Sequence, residues 1–218
     1  MATVLIGRNT TVEVENTLGA AVTITAIKQA DWLASPSGEQ VTANAHGFIN
    51  GDIVVFTVSG MSQLDGQVAR VANKTTNTFD IEGIDTTLYS AFTSGTVQKV
   101  SAFLTLGVAR SVQAGNVSPN RLESTTLLDN EKQYVLGMSD TPEITIDILS
   151  APLDSAVVRL DTAARLGSNI VFRLTMSDAS KRLFRGQVTT ASESISVNEL
   201  VTGSLAVTQT RRRLAYAS

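Results

Sequence analysis

Polar and apolar residues alternate one for one over Thr10-Thr11-Val12-Glu13-Val14-Glu15 and again over Ala21-Val22-Thr23-Ile24-Thr25-Ala26-Ile27. A side-chain period of two puts every second residue on one face, so these runs can bury an apolar face only as strands in a sheet. The pattern returns along the chain between turn signals. Asn50-Gly51 leads into Asp52 to Val58, and Asp65-Gly66 leads into Gln67 to Ala72. Asn-Gly and Asp-Gly accept the positive φ angles of tight hairpin turns. Glu39 to Ala43, Thr78 to Glu82, Gly95 to Val100, Ala102 to Val108, Tyr134 to Gly137, Glu143 to Leu149, Ile170 to Met176, Leu183 to Thr190 and Ser204 to Thr210 read as further strands. One stretch departs from the pattern. Leu153, Val157, Leu160 and Ala164 recur at helical spacing, with Ser150 or Asp154 to cap the start and Gly167 to close the end. The expected fold is mainly β, with one flanking helix at about 153–166.

Composition narrows the function. Charged residues make up 17% of the 218, below the usual share of roughly 25%. The net charge is −3, with no basic surplus to neutralise phosphates, so tight nucleic-acid binding is not expected. The chain has no cysteine, which removes disulfides and thiolate metal sites and suits assembly in a reducing cytosol. No apolar run reaches the length of a membrane-spanning helix, and the first eight residues do not read as a signal peptide.

Catalytic chemistry finds little to stand on. His46 is the sole histidine, and its Gly and Phe neighbours place it in a turn entering a strand, as a packing residue. The carboxylates Asp129, Glu131, Asp140, Glu143 and Asp147 cluster in sequence; paired carboxylates can do glycosidase work, but these read as solvated strand and loop surface. No phosphate-binding loop, dinucleotide fingerprint or HExxH helix occurs. No cofactor and no metal site is expected.

Two segments suggest contacts with partners. Residues 109–132 form a long polar stretch holding Gly115, Pro119 and Asn120. A loop of that length is ordered by a partner more often than by itself, and Gln113, Asn116, Ser118, Asn120, Arg121 and Glu123 are its candidate contact residues. Arg211-Arg212-Arg213 is the one basic cluster. It reads as a solvated tail or as a C-terminal arm pairing with carboxylates of a neighbouring subunit.

Several blocks outside the middle of the chain, in their order and character, resemble the tail tube proteins of long-tailed bacteriophages. They are Leu122-Glu123-Ser124-Thr125-Thr126-Leu127-Leu128-Asp129, Gln133 to Asp140, Glu143 to Ile148, the helix at 153–166, Phe184 to Thr189, and Ser194 to Val201 as one of a closing pair of strands. The middle, about residues 31–99, resembles a small β-barrel module of phage virion proteins, similar to the first catalytic-cysteine half-domain of ubiquitin-activating enzymes. Ala45 to Val54, Gly60 to Gly66, Val71 to Asn73, Asn77 to Ile81 and Tyr89 to Gly95 carry that likeness. Without cysteine no thioester can form.

The resemblances imply a discontinuous tail tube domain, residues 1–30 and 100–218, as a two-sheet β sandwich or barrel interrupted by the 31–99 module. They imply a non-enzymatic virion protein that forms stacked hexameric rings, the conduit for genome ejection. Implied partners are further copies of the chain, a tape measure protein, tail-end proteins and double-stranded DNA in transit, with no membrane. The place implied is the virion tail, assembled in the host cytoplasm. A contrasting expectation from the same sequence is a tail-tip or adhesion module that binds host surface glycans.

Overall fold

The structure, a computed structural model, describes residues 9–29, 39–115, 119–126, 128, 130–139, 141–189 and 192–217. In chain order the elements are β1 (Thr11–Leu18), β2 (Val22–Ile24), β3 (Ala26–Ile27), β4 (Glu39–Thr42), β5 (Ile53–Ser59), β6 (Val68–Ala72), β7 (Thr78–Glu82), β8 (Ser94–Thr105), β9 (Ala109–Ala114), β10 (Pro119–Glu123), β11 (Tyr134–Ser139), β12 (Glu143–Leu149), α1 (Ser155–Leu166), β13 (Asn169–Thr175), β14 (Lys181–Val188), β15 (Ser192–Ser194), β16 (Thr202–Gln209) and β17 (Leu214–Tyr216). The mainly β expectation with a single helix holds among these residues. Asp154 caps the helix by accepting from the backbone N–H of Ala156 and Val157, and Gly167 ends it in the left-handed conformation.

Antiparallel pairing links the strands in the order β3-β4-β7-β6-β5-β8-β1-β13-β14-β16-β12-β9, with β2 against β8, β17 against β14 and β15 against β16. Among the described residues the hairpin β10–β11 pairs only with itself. Strand β8 holds the path together. Its first half pairs with β5 and β2, and its second half with β1. The sequence suggested two strands here, but no Gly, Pro or Asn falls between Val97 and Thr105, and the chain runs straight on.

Two apolar cores flank the ladder. One gathers Val12, Val14, Ile144, Ile146, Ile148, Leu160, Ile170, Phe172, Phe184 and Leu205, with the Phe172 and Phe184 rings stacked at 4.9 Å. The other is built from strands β3 to β8 and includes Phe56, Phe79, Met61 and Leu64. Val171, Leu183, Leu214 and Tyr216 close that second core from the C-terminal half of the chain. Strands β13 and β14 are therefore buried on both faces, which is why Ile170-Val171-Phe172 reads as an unbroken apolar run. Glu15 is buried where β1, α1 and β13 meet, accepting from the Val171 backbone N–H at 3.2 Å and from Arg159 Nη2 at 3.5 Å. Burial raises its carboxyl above the ordinary range despite those partners.

The C-terminal residues differ from the short tail expected. Strand β17 pairs Lys181, Arg182 and Leu183 with Tyr216, Ala215 and Leu214. The Tyr216 hydroxyl accepts from the Arg70 backbone N–H at 3.0 Å and donates to the Glu82 carbonyl at 3.2 Å. Burial pushes this phenol well above its ordinary pKa. Three apolar residues, Leu214-Ala215-Tyr216, after an arginine run are too short a signal to read as a strand from sequence. Two other readings change. The turn expected at residues 16–19 is partly strand, since β1 continues to Leu18 through two register shifts. The strand expected over Ser194 to Val201 ends at Ser194 and becomes a turn with Asn198 at positive φ.

Truncating the C-terminal anchor has a defined cost. Tyr216→Ala empties a buried aromatic site and is expected to destabilise the chain by about 3–5 kcal/mol. Tyr216→Phe, which removes only the hydroxyl's bonds, should cost about 1 kcal/mol. Denaturant titration of the two variants measures both, and equal losses would contradict the packing role.

Candidate assembly interface

The polar stretch 109–132, expected as a loop, is largely strand. Strand β9 pairs with β12 in register, Gln113 opposite Thr145 and Ala114 opposite Ile144. The Gly115 N–H donates to the Glu143 carbonyl at 2.7 Å, and beyond that point the two chains leave the sheet. They pair again as β10–β11, with Arg121 opposite Leu136, Leu122 opposite Val135 and Glu123 opposite Tyr134. Ser124 N–H donates to the Gln133 carbonyl at 2.9 Å near the tip. Sequence reasoning found β11, as Tyr134 to Gly137, but missed β9 and β10, because a largely exposed strand needs no buried face and without one the period-two signal fades.

The ribbon's side chains are unusual for a solvated surface. Leu122, Tyr134, Val135, Leu136 and Met138 are all exposed, Leu136 at 65% and Met138 at 90%. Alternation places Tyr134, Leu136 and Met138 on one face of β11. Gly137 lets the strands close up, since a Cβ there would meet the Asn120 carbonyl oxygen at 3.2 Å and the Leu122 side chain at 3.4 Å. A two-stranded ribbon is marginal alone and needs a third strand or a packing surface. Strand β9 adds a second open element, because it pairs with β12 alone.

The structure separates the candidate contact residues. Asn120, Arg121 and Glu123 lie exposed on β10, where Glu123 is 3.8 Å from Lys132 Nζ. Gln113 sits on β9 at the ribbon's base. Asn116 and Ser118 lie outside the described residues. Arg211, Arg212 and Arg213 form the link between β16 and β17. Their backbone is held: the Arg211 carbonyl accepts from Gln209 Nε2, and the Arg212 carbonyl accepts from Gln67 Nε2 at 3.1 Å. Their side chains point from a fixed base, not from a loose arm.

The described carboxylates of the sequence cluster, Glu131, Glu143 and Asp147, form no metal-binding group. Asp147 accepts from Ser111 Oγ at 2.5 Å on the β9–β12 ladder, and Glu131 and Glu143 are exposed. Asp129 and Asp140 lie outside the described residues. Among the described residues no group of three or more His, Cys, Asp or Glu side chains could hold a metal. His46 is a packing residue: its Nδ1 accepts from the Phe48 N–H at 3.0 Å, and its ring contacts Phe48 and Phe79. No helix among the described residues is long and apolar enough to cross a membrane.

If the ribbon's apolar residues serve contact between copies, the fold of one copy should not need them. The double variant Leu136→Asp, Met138→Asp is expected to leave unfolding free energy within about 0.5 kcal/mol of the parent. Chemical denaturation of the unassembled chain measures this, and a loss of several kcal/mol would place the two side chains in the fold's own core.

Comparison with known proteins follows the same line. The family model of the phage tail tube protein matches residues 59–218. The match starts at the end of β5 and so includes β6 and β7 of the middle segment. Among solved structures, the tail of an empty gene transfer agent particle, from helical refinement with C6 symmetry, is 16% identical with a TM-score of 0.43, covering 54% of this chain and 89% of that one. The virion of the native gene transfer agent particle gives 15% identity and a TM-score of 0.42, covering 53% and 89%. No curated protein matches in sequence. The matched span is well over half of the chain, and the chain belongs to the phage tail tube protein family, whose members are structural components of a virion tail and not enzymes.

Proposed function

We propose that this chain builds the tail tube as hexameric rings stacked into a hollow cylinder, and that the β10–β11 ribbon is completed by a neighbouring copy. The observation that carries this reading is the ribbon itself, two strands with exposed apolar side chains and no third strand among the described residues. A protrusion on one part of a subunit that fits a different part of the next is a head-to-tail interface, which closes into rings or continues as a helix.

Magnitudes support more than one contact per neighbour. Covering the five exposed apolar side chains of the ribbon gains about 1.5–3 kcal/mol each. That roughly matches the ~4–15 kcal/mol cost of association, so further contact must come from elsewhere. The open edge of β9 supplies backbone donors and acceptors, and Arg211, Arg212 and Arg213 supply cations for carboxylates of an adjacent subunit.

Residues 31–99 act in this reading as a module on the outer side of the tube, since six copies of it would obstruct a lumen that passes duplex DNA. The net charge of −3 favours passage of DNA without adhesion. Assembly takes place in the host cytoplasm, with a tape measure protein and tail-end proteins as the remaining partners.

Replacing residues 119–139 with a short Gly-Ser turn tests the proposal. The expected product is a folded monomer that forms no tubes under negative-stain electron microscopy. Tubes of ordinary length from this variant would refute it.

A further inference from the structure

The receptor for the ribbon can also be placed on this chain. A cleft of about 560 Å³ opens where the sheet splits between β1–β13 and β9–β12. Its lining includes the apolar side chains of Val112, Ile144, Leu174 and Met176, and also Arg110, Arg182 and Arg213. Arg182 bears electrostatically on the nearby Asp178, but no carboxylate among the described residues lies within 4.0 Å of any of the three guanidinium groups. The cleft thus combines an apolar lining with three cations that lack a close counter-ion among the described residues, in a protein of net charge −3.

The ribbon has the complementary character. Tyr134, Leu136 and Met138 form an apolar stripe, and on that same face Glu123 lies opposite Tyr134 and Arg121 opposite Leu136. The segment 119–143 carries five carboxylates against two cations, Arg121 and Lys132. Glu123 and Glu131 are exposed near the tip. A ribbon with exposed apolar side chains, in a segment of net acidic charge, fits an apolar cleft edged by arginines, and charge complementarity of this kind sets register between partners.

We infer that the cleft lined by Val112, Ile144, Leu174 and Met176 receives the β10–β11 ribbon of a second copy of this chain, with Arg110, Arg182 and Arg213 facing the ribbon's Glu123 and Glu131. This rests on the proposed tube function and names the surface that the ribbon meets. Each copy then carries one ribbon and one cleft at different places, and successive copies can add without limit along one direction.

Charge reversal on each side tests the pairing in the full chain. Arg110→Glu with Arg213→Glu on the cleft, or Glu123→Arg with Glu131→Arg on the ribbon, should each raise the protein concentration needed for tube formation by at least about a hundredfold. A chain carrying all four substitutions should recover assembly, a result that misfolding cannot produce. If the cleft variant polymerises like the parent while deletion of residues 119–139 abolishes tubes, the cleft assignment falls and the tube reading stands. If the deletion also polymerises, both fall. Loss of assembly with no recovery in the four-fold variant overturns the pairing.

The absence of native cysteine allows a second, independent measurement. Leu136→Cys combined with Val112→Cys should give a ladder of disulfide-linked multimers when assembled tubes are oxidised. Residues 1–8, which precede Thr10 at the cleft wall, are the competing occupant. A cross-link from Leu5→Cys to Val112→Cys, without one from Leu136→Cys, would assign the cleft to that segment and overturn the inference.

Discussion

A two-stranded ribbon cannot bury either of its own faces, and that limit governs the whole assembly account. Strands β10 and β11 satisfy each other's backbone groups along one edge each, and leave the outer edges and both faces to solvent or to a partner. The chain places Leu, Val, Tyr and Met there where a solvated hairpin would carry charged and polar residues. The same ribbon grows out of the β9–β12 ladder, so its position is fixed by a sheet whose other members are buried. A rigid base and an unfinished tip are the properties a self-assembling subunit needs.

Rigidity comes from sharing. Strand β8 belongs to both halves of the ladder, and strands β13 and β14 present one face to each core. Strand β17 then returns across β14 and sets Leu214 and Tyr216 into the core formed by β3 to β8. The Arg70 guanidinium stacks over the Tyr216 ring at 5.0 Å and donates to the Ala217 carbonyl at 3.1 Å. Displacing the middle strands would require opening this clamp. Loads passed along a tube would reach the middle segment through packed side chains.

Legibility in the sequence followed burial. Strands with one buried face, such as Glu143–Leu149 with Ile144, Ile146 and Ile148, were readable residue by residue, because alternation there is imposed by the core. The helix was readable from its spacing and its caps, although its buried face is Ala156, Leu160 and Ala163, with Val157 and Ala164 partly buried beside it, while Leu153 lies before the helix and is exposed. Of the ribbon only β11 was readable, as Tyr134 to Gly137, while β10 was not, since an exposed strand can escape the pattern that burial imposes. Strand β17 was too short, and Ser194 to Val201 alternated without being a strand, leaving Ile195 and Val197 exposed at a turn. The proposed interface follows the same rule: sequence pointed to the stretch 109–132 by its length, while the exposed apolar stripe proposed as its contact face lies mostly beyond it, on β11. Arg211, Arg212 and Arg213 were legible as a cluster, but their fixed backbone depended on Gln67, far away in sequence.

Backbone amide hydrogen exchange, compared between the unassembled chain and the assembled form, bears most directly on the central claim. The account predicts rapid exchange of the outward amides of β10 and β11 in the free chain and strong protection of those same amides after assembly, while β13 and β14 stay protected throughout. Ribbon amides equally slow in the free chain, or equally fast in the assembled form, would show that neighbouring copies do not complete this part of the fold.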